Sequence, residues 1–365
     1  MSPDVTPALR VAGRGLLAAG ALAAGAVLGA VAERSLLRAS ARPDGDSEQF
    51  GEVRGEIHHV IADDGTVLHV EIDDLGPDYD GPRDNLTVVF EHGYALNLDS
   101  WHYQRQALRG RARLVLYDQR SHGRSQRADF DTHHIDQLGR DLAAVVEAVA
   151  PTGPLMLVGH SMGGMTIMAL ASQRPDLFAD RVYGVALIAT TAGGLSKGGL
   201  GLPAGLGPVF HRLAPPLAAA LARQKSIVEK SRWSDSDLGL LLTRLYSFGS
   251  TSPEQAGRFV ASMVSSTPIE VIAEFLPALQ EHDKRYALGV FQTVEVLVLV
   301  GETDRLTPKE YSDYIVDQVP GAEYVVVPDS GHMVTLEKHA EVDAALLSLL
   351  DRVRRDIAAD TASTA

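Results

Sequence analysis

Gly159-His160-Ser161-Met162-Gly163 sets a serine between two glycines, each two residues away. The apolar run Leu155-Met156-Leu157-Val158 precedes it, and a helical run opening Gly164-Met165-Thr166 follows. A serine on a sharp strand-to-helix turn has its hydroxyl exposed, and small flanking residues keep that turn clear of its neighbours. The helix aims its N-terminus at the hydroxyl. Ser161 is therefore the expected nucleophile. A serine hydroxyl attacks poorly unless a base takes its proton, so a histidine and an orienting acid are required.

His332 stands in Asp329-Ser330-Gly331-His332-Met333, after the last strand-like run and before the last helical one. It is the expected base, with Gly331 letting the imidazole reach across to the serine. Asp304 lies in Gly301-Glu302-Thr303-Asp304, just past the apolar run 296–300. It is the expected acid, accepting the Nδ1 proton and setting the tautomer. Glu302, nearer the strand, is the competing acid. Acyl transfer also needs donors for a developing oxyanion. The backbone N–H of Met162 is the first. The second is expected from His92-Gly93-Tyr94, after Val88-Val89-Phe90-Glu91, at the N–H of Tyr94. His160 reads as structural rather than catalytic. Trp101, Tyr103 and Trp233 are further pocket-lining candidates.

These residues need a scaffold that brings distant loops to one edge. Residues 57–61 and 67–72 flank Asp63-Asp64-Gly65, a hairpin signal. Apolar runs follow at 86–91, 113–118, 155–159, 182–189, 294–300 and 323–327. Continuous runs of this kind indicate strands buried on both faces of a parallel sheet. Helical periodicity occupies 99–108, 135–149, 163–173, 308–319 and 340–353. The alternation predicts an α/β fold, a mostly parallel sheet sandwiched by helices. The core is expected over 55–190 and 291–355. Residues 191–290 break the rhythm: a Gly-rich opening is followed by amphipathic runs near 210–225, 238–248, 253–264 and 269–279, expected as a helical cap. The tail after Asp356 is small and polar and is expected to fray.

The uncharged Ala/Gly/Leu/Val stretch 15–32 is about long enough to cross a bilayer. Residues 1–40 are expected to be a signal or membrane-anchor segment, placing the protein in the cell envelope, and 41–54 a polar linker. The formal net charge is −14, which repels phosphate backbones and argues against nucleic acid as a partner. Acidic residues cluster at Asp63, Asp64, Asp73, Asp74, Asp78, Asp80 and Asp84, expected as a solvated hairpin and loop. The chain has no cysteine, which excludes thiolate nucleophiles, thiolate metal sites and disulfides.

Over residues 55–355 the chain resembles the α/β-hydrolase family, through His92-Gly93-Tyr94, residues 117–125, Gly159–Gly164, Gly301–Asp304 and Gly331-His332. Within 117–125, Asp118-Gln119-Arg120-Ser121-His122-Gly123-Arg124-Ser125 is similar to the family's D-x-R-G-x-G-x-S loop, with Ser121 in place of the first glycine. The resemblance implies the triad Ser161, Asp304, His332 and oxyanion donors at Tyr94 and Met162. It is strongest to the monoacylglycerol-lipase and carboxylesterase-like branch. Ser161 argues against epoxide hydrolases and haloalkane dehalogenases, which carry Asp there. The expected activity is hydrolysis of carboxylic esters, including lipid or acylglycerol esters, with no cofactor and no metal. The alternatives are another reaction of the same triad (C–C bond, amide or peracid) and a non-catalytic ligand-binding protein.

Overall fold

A computed structural model describes residues 49–195 (apart from 77, 78 and 83), 247–249 and 254–364. The expected anchor at 15–32, the helical runs at 210–225 and most of 238–248 lie outside the described residues.

Strands β1 (Glu56–Ile61), β2 (Val67–Asp73), β3 (Thr87–Glu91), β4 (Arg113–Tyr117), β5 (Leu155–His160), β6 (Val182–Ile188), β7 (Glu295–Gly301) and β8 (Glu323–Val327) form one sheet. Their order is β1-β2-β4-β3-β5-β6-β7-β8. The β1–β2 and β2–β4 pairs are antiparallel, and the others are parallel. Apolar side chains of the central strands leave on alternate faces, so each face has its own core. Val89, Leu157, Val185 and Val298 join one core, against helices α2 (Ile135–Val149) and α3 (Met162–Gln173). Val88, Phe90, Met156, Val158 and Leu299 join the other, against α1 (His102–Leu108) and the C-terminal helix. Helices α4 (Pro175–Asp180), α5 (Glu254–Ser266), α6 (Ile269–Glu281), α7 (Lys309–Gln318), α8 (Val334–Glu337) and α9 (His339–Thr364) complete the described helices. The expected α/β sandwich is the observed one.

Three expectations change. The tail does not fray after Asp356: α9 continues to Thr364, with Ile357 against the core and the Tyr183 hydroxyl donating to Asp360 at 2.8 Å. The described end of the linker is not loose, because Phe50 stacks on Phe259 of α5 at 4.7 Å and Arg105 donates to the Val53 carbonyl. The acidic hairpin is not simply solvated. Arg105 is buried against Glu71 and Asp73, and Arg120 against Asp64 and Asp141. Local charge density misreads such a run, because Asp73 and Asp64 find their buried arginine partners 32 and 56 positions away.

Arginine side chains also hold the loop after β4. The Arg120 guanidinium is fully buried and forks onto Asp141 of α2 at 2.6 and 2.7 Å. Ser121 adopts φ 64°, the left-handed region that glycine usually fills. Its hydroxyl is used there, accepting the Ala128 N–H at 2.9 Å and meeting His133 Nε2 at 2.8 Å. That accounts for a serine at this position.

The carboxyl edge of the sheet is stitched by buried imidazoles. His92 donates Nδ1–H to the Gly93 carbonyl, His122 to Arg120, His160 Nε2–H to His332 and His282 Nε2–H to Thr191, all at 2.8–3.0 Å. Burial holds His92 and His160 down to about 3, and His122 and His282 to about 4. The unfolded chain takes those protons near pH 6.5, so it binds more protons than the fold between about 4 and 6.5. Their contribution to stability is complete above pH 6.5 and is lost as the pH falls toward 4. The urea midpoint is expected to drop over that window, and a flat profile there would contradict it. Arg120→Ala leaves the Asp141 carboxylate buried without its partner, for an expected loss of about 3–5 kcal/mol by urea unfolding.

Candidate active site

The β5–α3 turn is built by exclusion. A Cβ at Gly163 would lie 2.1 Å from the Glu91 carbonyl oxygen, and one at Gly159 would lie 2.6 Å from the Gly163 backbone. Both positions therefore require glycine. Ser161 takes φ 54° and ψ −116°, a conformation L-residues rarely adopt. Its N–H donates to the Ile188 carbonyl at 2.9 Å, and its carbonyl accepts the Thr190 hydroxyl at 2.6 Å. The end of β6 thus pins the strained residue from the side.

Three expected residues meet on this turn. Ser161 Oγ lies 2.9 Å from His332 Nε2, and His332 Nδ1 lies 2.8 Å from Asp304 Oδ2. Both Asp304 and His332 are buried. Asp304 accepts three further bonds: from the N–H groups of Leu306 and Thr307 at Oδ1, and from the Thr307 hydroxyl at Oδ2. Glu302, the competing acid, is exposed and accepts from Asp329 N–H instead. With His332 Nδ1–H donating to the carboxylate, Nε2 is left as the acceptor facing the serine. Such a chain can take the proton of a hydroxyl during attack on a carbonyl and hand it to a leaving group.

Gly331 has a different role from the expected one. Its φ is not in the left-handed region. A Cβ there would meet the Phe248 carbonyl carbon at 2.5 Å, so close approach of the β6–β7 connection requires it. His160 reads as structural in the fold too: its Nε2–H donates to the His332 carbonyl, and burial disfavours its protonated form, which makes it a poor proton acceptor.

Met162 opens α3, whose first N–H groups lack partners within the helix. Gly93 and Tyr94 line the same cavity as Ser161 and His332. Side chains that sequence reasoning undervalued hold this loop. His92 Nε2 accepts the Gln119 N–H at 2.9 Å, and the Gln119 amide donates to the His92 carbonyl at 2.6 Å. Asp118 accepts the N–H groups of Leu98 and Arg124, both at 2.7 Å. A fully buried histidine closing an apolar strand was the available signal.

The cavity at Ser161 measures about 270 Å³. Its far wall is apolar: Val260 and Val264 of α5, then Ile272, Leu276 and Leu279 of α6. The Tyr94 hydroxyl donates to the Ile272 carbonyl, the Arg127–Glu274 ion pair and His133 stacked on Phe275 hold α6 to the core, and Lys284 N–H closes the return onto Ala192 at 2.7 Å. Among the described residues no single helix is long and apolar enough to cross a membrane; α5 and α6 pass that test only as a pair bent by 94°, and their apolar sides line this cavity. A larger cleft of about 600 Å³ lies at the opposite edge, around Asn85, Thr87 and Arg113, and holds none of these residues. Trp101 is buried core, tilted on Phe90; Tyr103 stacks on His339; neither lines the cavity. Trp233 lies outside the described residues.

Comparison with known proteins follows this geometry. A bifunctional esterase/perhydrolase of Acinetobacter calcoaceticus is 38% identical over 97 residues, covering 26% of this chain and 34% of that protein. An sn-1-specific diacylglycerol lipase of Mus musculus is 26% identical over 277 residues, covering 74% and 83%. A solved esterase from Thermogutta terrifontis superposes with a TM-score of 0.63 at 22% identity, covering 82% of this chain and 99% of that one. The matches span 65%, 34% and 30% of the length of three curated relatives. The pattern that defines the alpha/beta hydrolase fold matches residues 87–339. The chain belongs to the alpha/beta hydrolase fold family.

Proposed function

We propose that this protein is a serine esterase that hydrolyses carboxylic esters of apolar acids, lipid or acylglycerol esters among them, through an acyl-enzyme on Ser161. The observation that carries the reading is the Ser161–His332–Asp304 chain opening directly onto an apolar cavity. Ser161 Oγ attacks the ester carbonyl while His332 Nε2 takes its proton. Asp304 stabilises the imidazolium without accepting its proton. The N–H groups of Met162 and Tyr94 receive the oxyanion of the tetrahedral intermediate. His332 then protonates the departing alcohol. Water, deprotonated by the same Nε2, attacks the acyl-enzyme and releases the acid.

Helices α5 and α6 act as the cap in this reading, and their side chains select the acyl group. About 270 Å³ is slightly below the ~300–1,000 Å³ common for small-molecule pockets, which favours a modest acyl chain over a bulky one. The likeness to an esterase/perhydrolase supports a second reading, in which peroxide replaces water in the deacylation step. Residues 15–32 are proposed to hold or direct the enzyme to the cell envelope, which fractionation of the native protein tests.

Ser161→Ala is expected to abolish p-nitrophenyl ester hydrolysis and labelling by a fluorophosphonate; undiminished labelling would sink the assignment. Asp304→Asn is expected to lower kcat by about 10⁴ through the wrong imidazole tautomer, with the fold intact. Ile272→Trp fills the apolar wall. It is expected to cut kcat/KM for hexanoate esters at least tenfold more than for acetate, since each pocket methylene is worth about 10–200-fold. Equal losses on both would place the acyl chain elsewhere.

A further inference from the structure

We propose that Glu337 is a positioning residue, clamping the loop of the base His332 against residues 247–249, midway along the β6–β7 connection. The proposal rests on the serine-esterase reading, because it assigns His332 its work. Glu337 ends the short helix α8, five positions after His332, and is 8% exposed. Its two carboxylate oxygens serve two different segments. Oε2 accepts the Gly331 N–H at 2.7 Å, beside the histidine, and Oε1 accepts the Gly249 N–H at 2.8 Å, in the connection. A second tie runs alongside, from the Met333 N–H to the Ser247 carbonyl at 2.7 Å.

Sterics show how close these segments run. A Cβ at Gly331 would lie 2.5 Å from the Phe248 carbonyl carbon, and one at Gly249 would lie 2.8 Å from the Asp329 carbonyl oxygen. Residues 247–249 and 329–333 thus lie backbone against backbone, with His332 in the middle. From the sheet side, His160 holds the His332 carbonyl at 2.9 Å. From the other side the matching grip is Glu337. Burying a carboxyl with two N–H donors is costly unless both bonds are made, so the group is tied to this geometry. Phe248 packs with Val260 of α5 and Met333, so the same contact links the wall of the cavity to the base.

A glutamine is nearly the same size but offers one acceptor oxygen, and its NH₂ group faces an N–H donor in either orientation. Glu337→Gln therefore breaks one of the two ties. A shift of ~1 Å in a reacting group costs about 100-fold, so a partial release is expected to lower kcat ten- to a hundredfold. KM for p-nitrophenyl butyrate should stay within about twofold, because the apolar side chains of α5 and α6 that line the cavity are not substituted. Rates are normalised to sites titrated with a p-nitrophenyl phosphonate, so only folded, competent enzyme counts. The far-downfield proton resonance of His332 Nδ1–H, assigned by its loss in Asp304→Asn, is expected to shift or broaden in Glu337→Gln. A role confined to global stability would leave both that resonance and kcat per titrated site unchanged, and either result overturns the proposal. Phe248→Ala loosens the same contact from the connection, and its effect on kcat should be largely absent when added to Glu337→Gln; full additivity also overturns the coupling. Should Glu337→Gln fail to fold, Glu337→Asp, which withdraws the carboxylate by one methylene, is read by the same criteria. Failure of the esterase reading is distinguishable, since it requires Ser161→Ala to retain labelling, whereas failure here leaves Ser161→Ala inert.

Discussion

Lack of space at the β5–α3 turn governs the arrangement of everything around it. With Gly163 against the Glu91 carbonyl and Gly159 against the Gly163 backbone, the chain can turn only if residue 161 takes a positive φ. A non-glycine residue held there costs about 1–3 kcal/mol, and the surroundings must over-determine it. They do so through the adjacent strand, with the Ile188 carbonyl and the Thr190 hydroxyl each taking one backbone group of Ser161. The hydroxyl's position is therefore set by sheet packing.

From that fixed point the rest follows the order of the sheet. Strands β5, β6, β7 and β8 are consecutive neighbours, and their carboxyl ends deliver Ser161, Thr190, Asp304 and His332 in turn. Parallel strands point all their carboxyl ends to one edge, so residues 171 positions apart can meet at 2.9 Å. The same edge needs many polar groups, and burial forces each to be paired or neutral. Asp304 gathers four donors, while the neighbouring imidazoles are driven neutral and spend their N–H groups on loop carbonyls. Burial thereby makes the neighbouring imidazoles poor proton acceptors.

Much of this was legible in the sequence because the physics is local. The G-x-S-x-G turn carries its own steric requirement, and the strands read as apolar runs because both faces are buried. Asp304 could be preferred to Glu302 only weakly, since the two differ in whether the following turn supplies donors, and Thr307 does so from three residues on. The aspartates of the β1–β2 hairpin read as solvated because arginines 105 and 120 reach them only in the fold. Glu337 carries no sequence signal: it lies just ahead of the expected helical run 340–353, and an acid there is ordinarily a surface residue. Ala, Asp and Thr near 356–364 lack helical periodicity, so the extension of the C-terminal helix to Thr364 has no local signal; it is held at Asp360 by a tyrosine of β6.

The same geometry separates reactivity from selectivity. Loops after β3, β5, β7 and β8 make one end of the cavity, and hydrogen bonds from Gln119, Thr190, Thr307 and His160 hold them. Helices α5 and α6 make the apolar end, and they join the core through a few identifiable contacts: the Tyr94 hydroxyl, the Arg127–Glu274 pair and the Lys284–Ala192 bond. Ile272 and Leu276 line the cavity without joining the buried cluster at α3, whereas Val271, Phe275 and Leu279 pack with Met162 and Met165 beside Ser161. The His332 loop lies directly against residues 247–249 of the same connection. The same connection thus touches both ends of the proposed proton path, at the His332 loop through residues 247–249 and beside Ser161 through Phe275 and Leu279. On a fold that hosts many reactions, these contacts tie the packing of α5 and α6 to the geometry of the proposed triad.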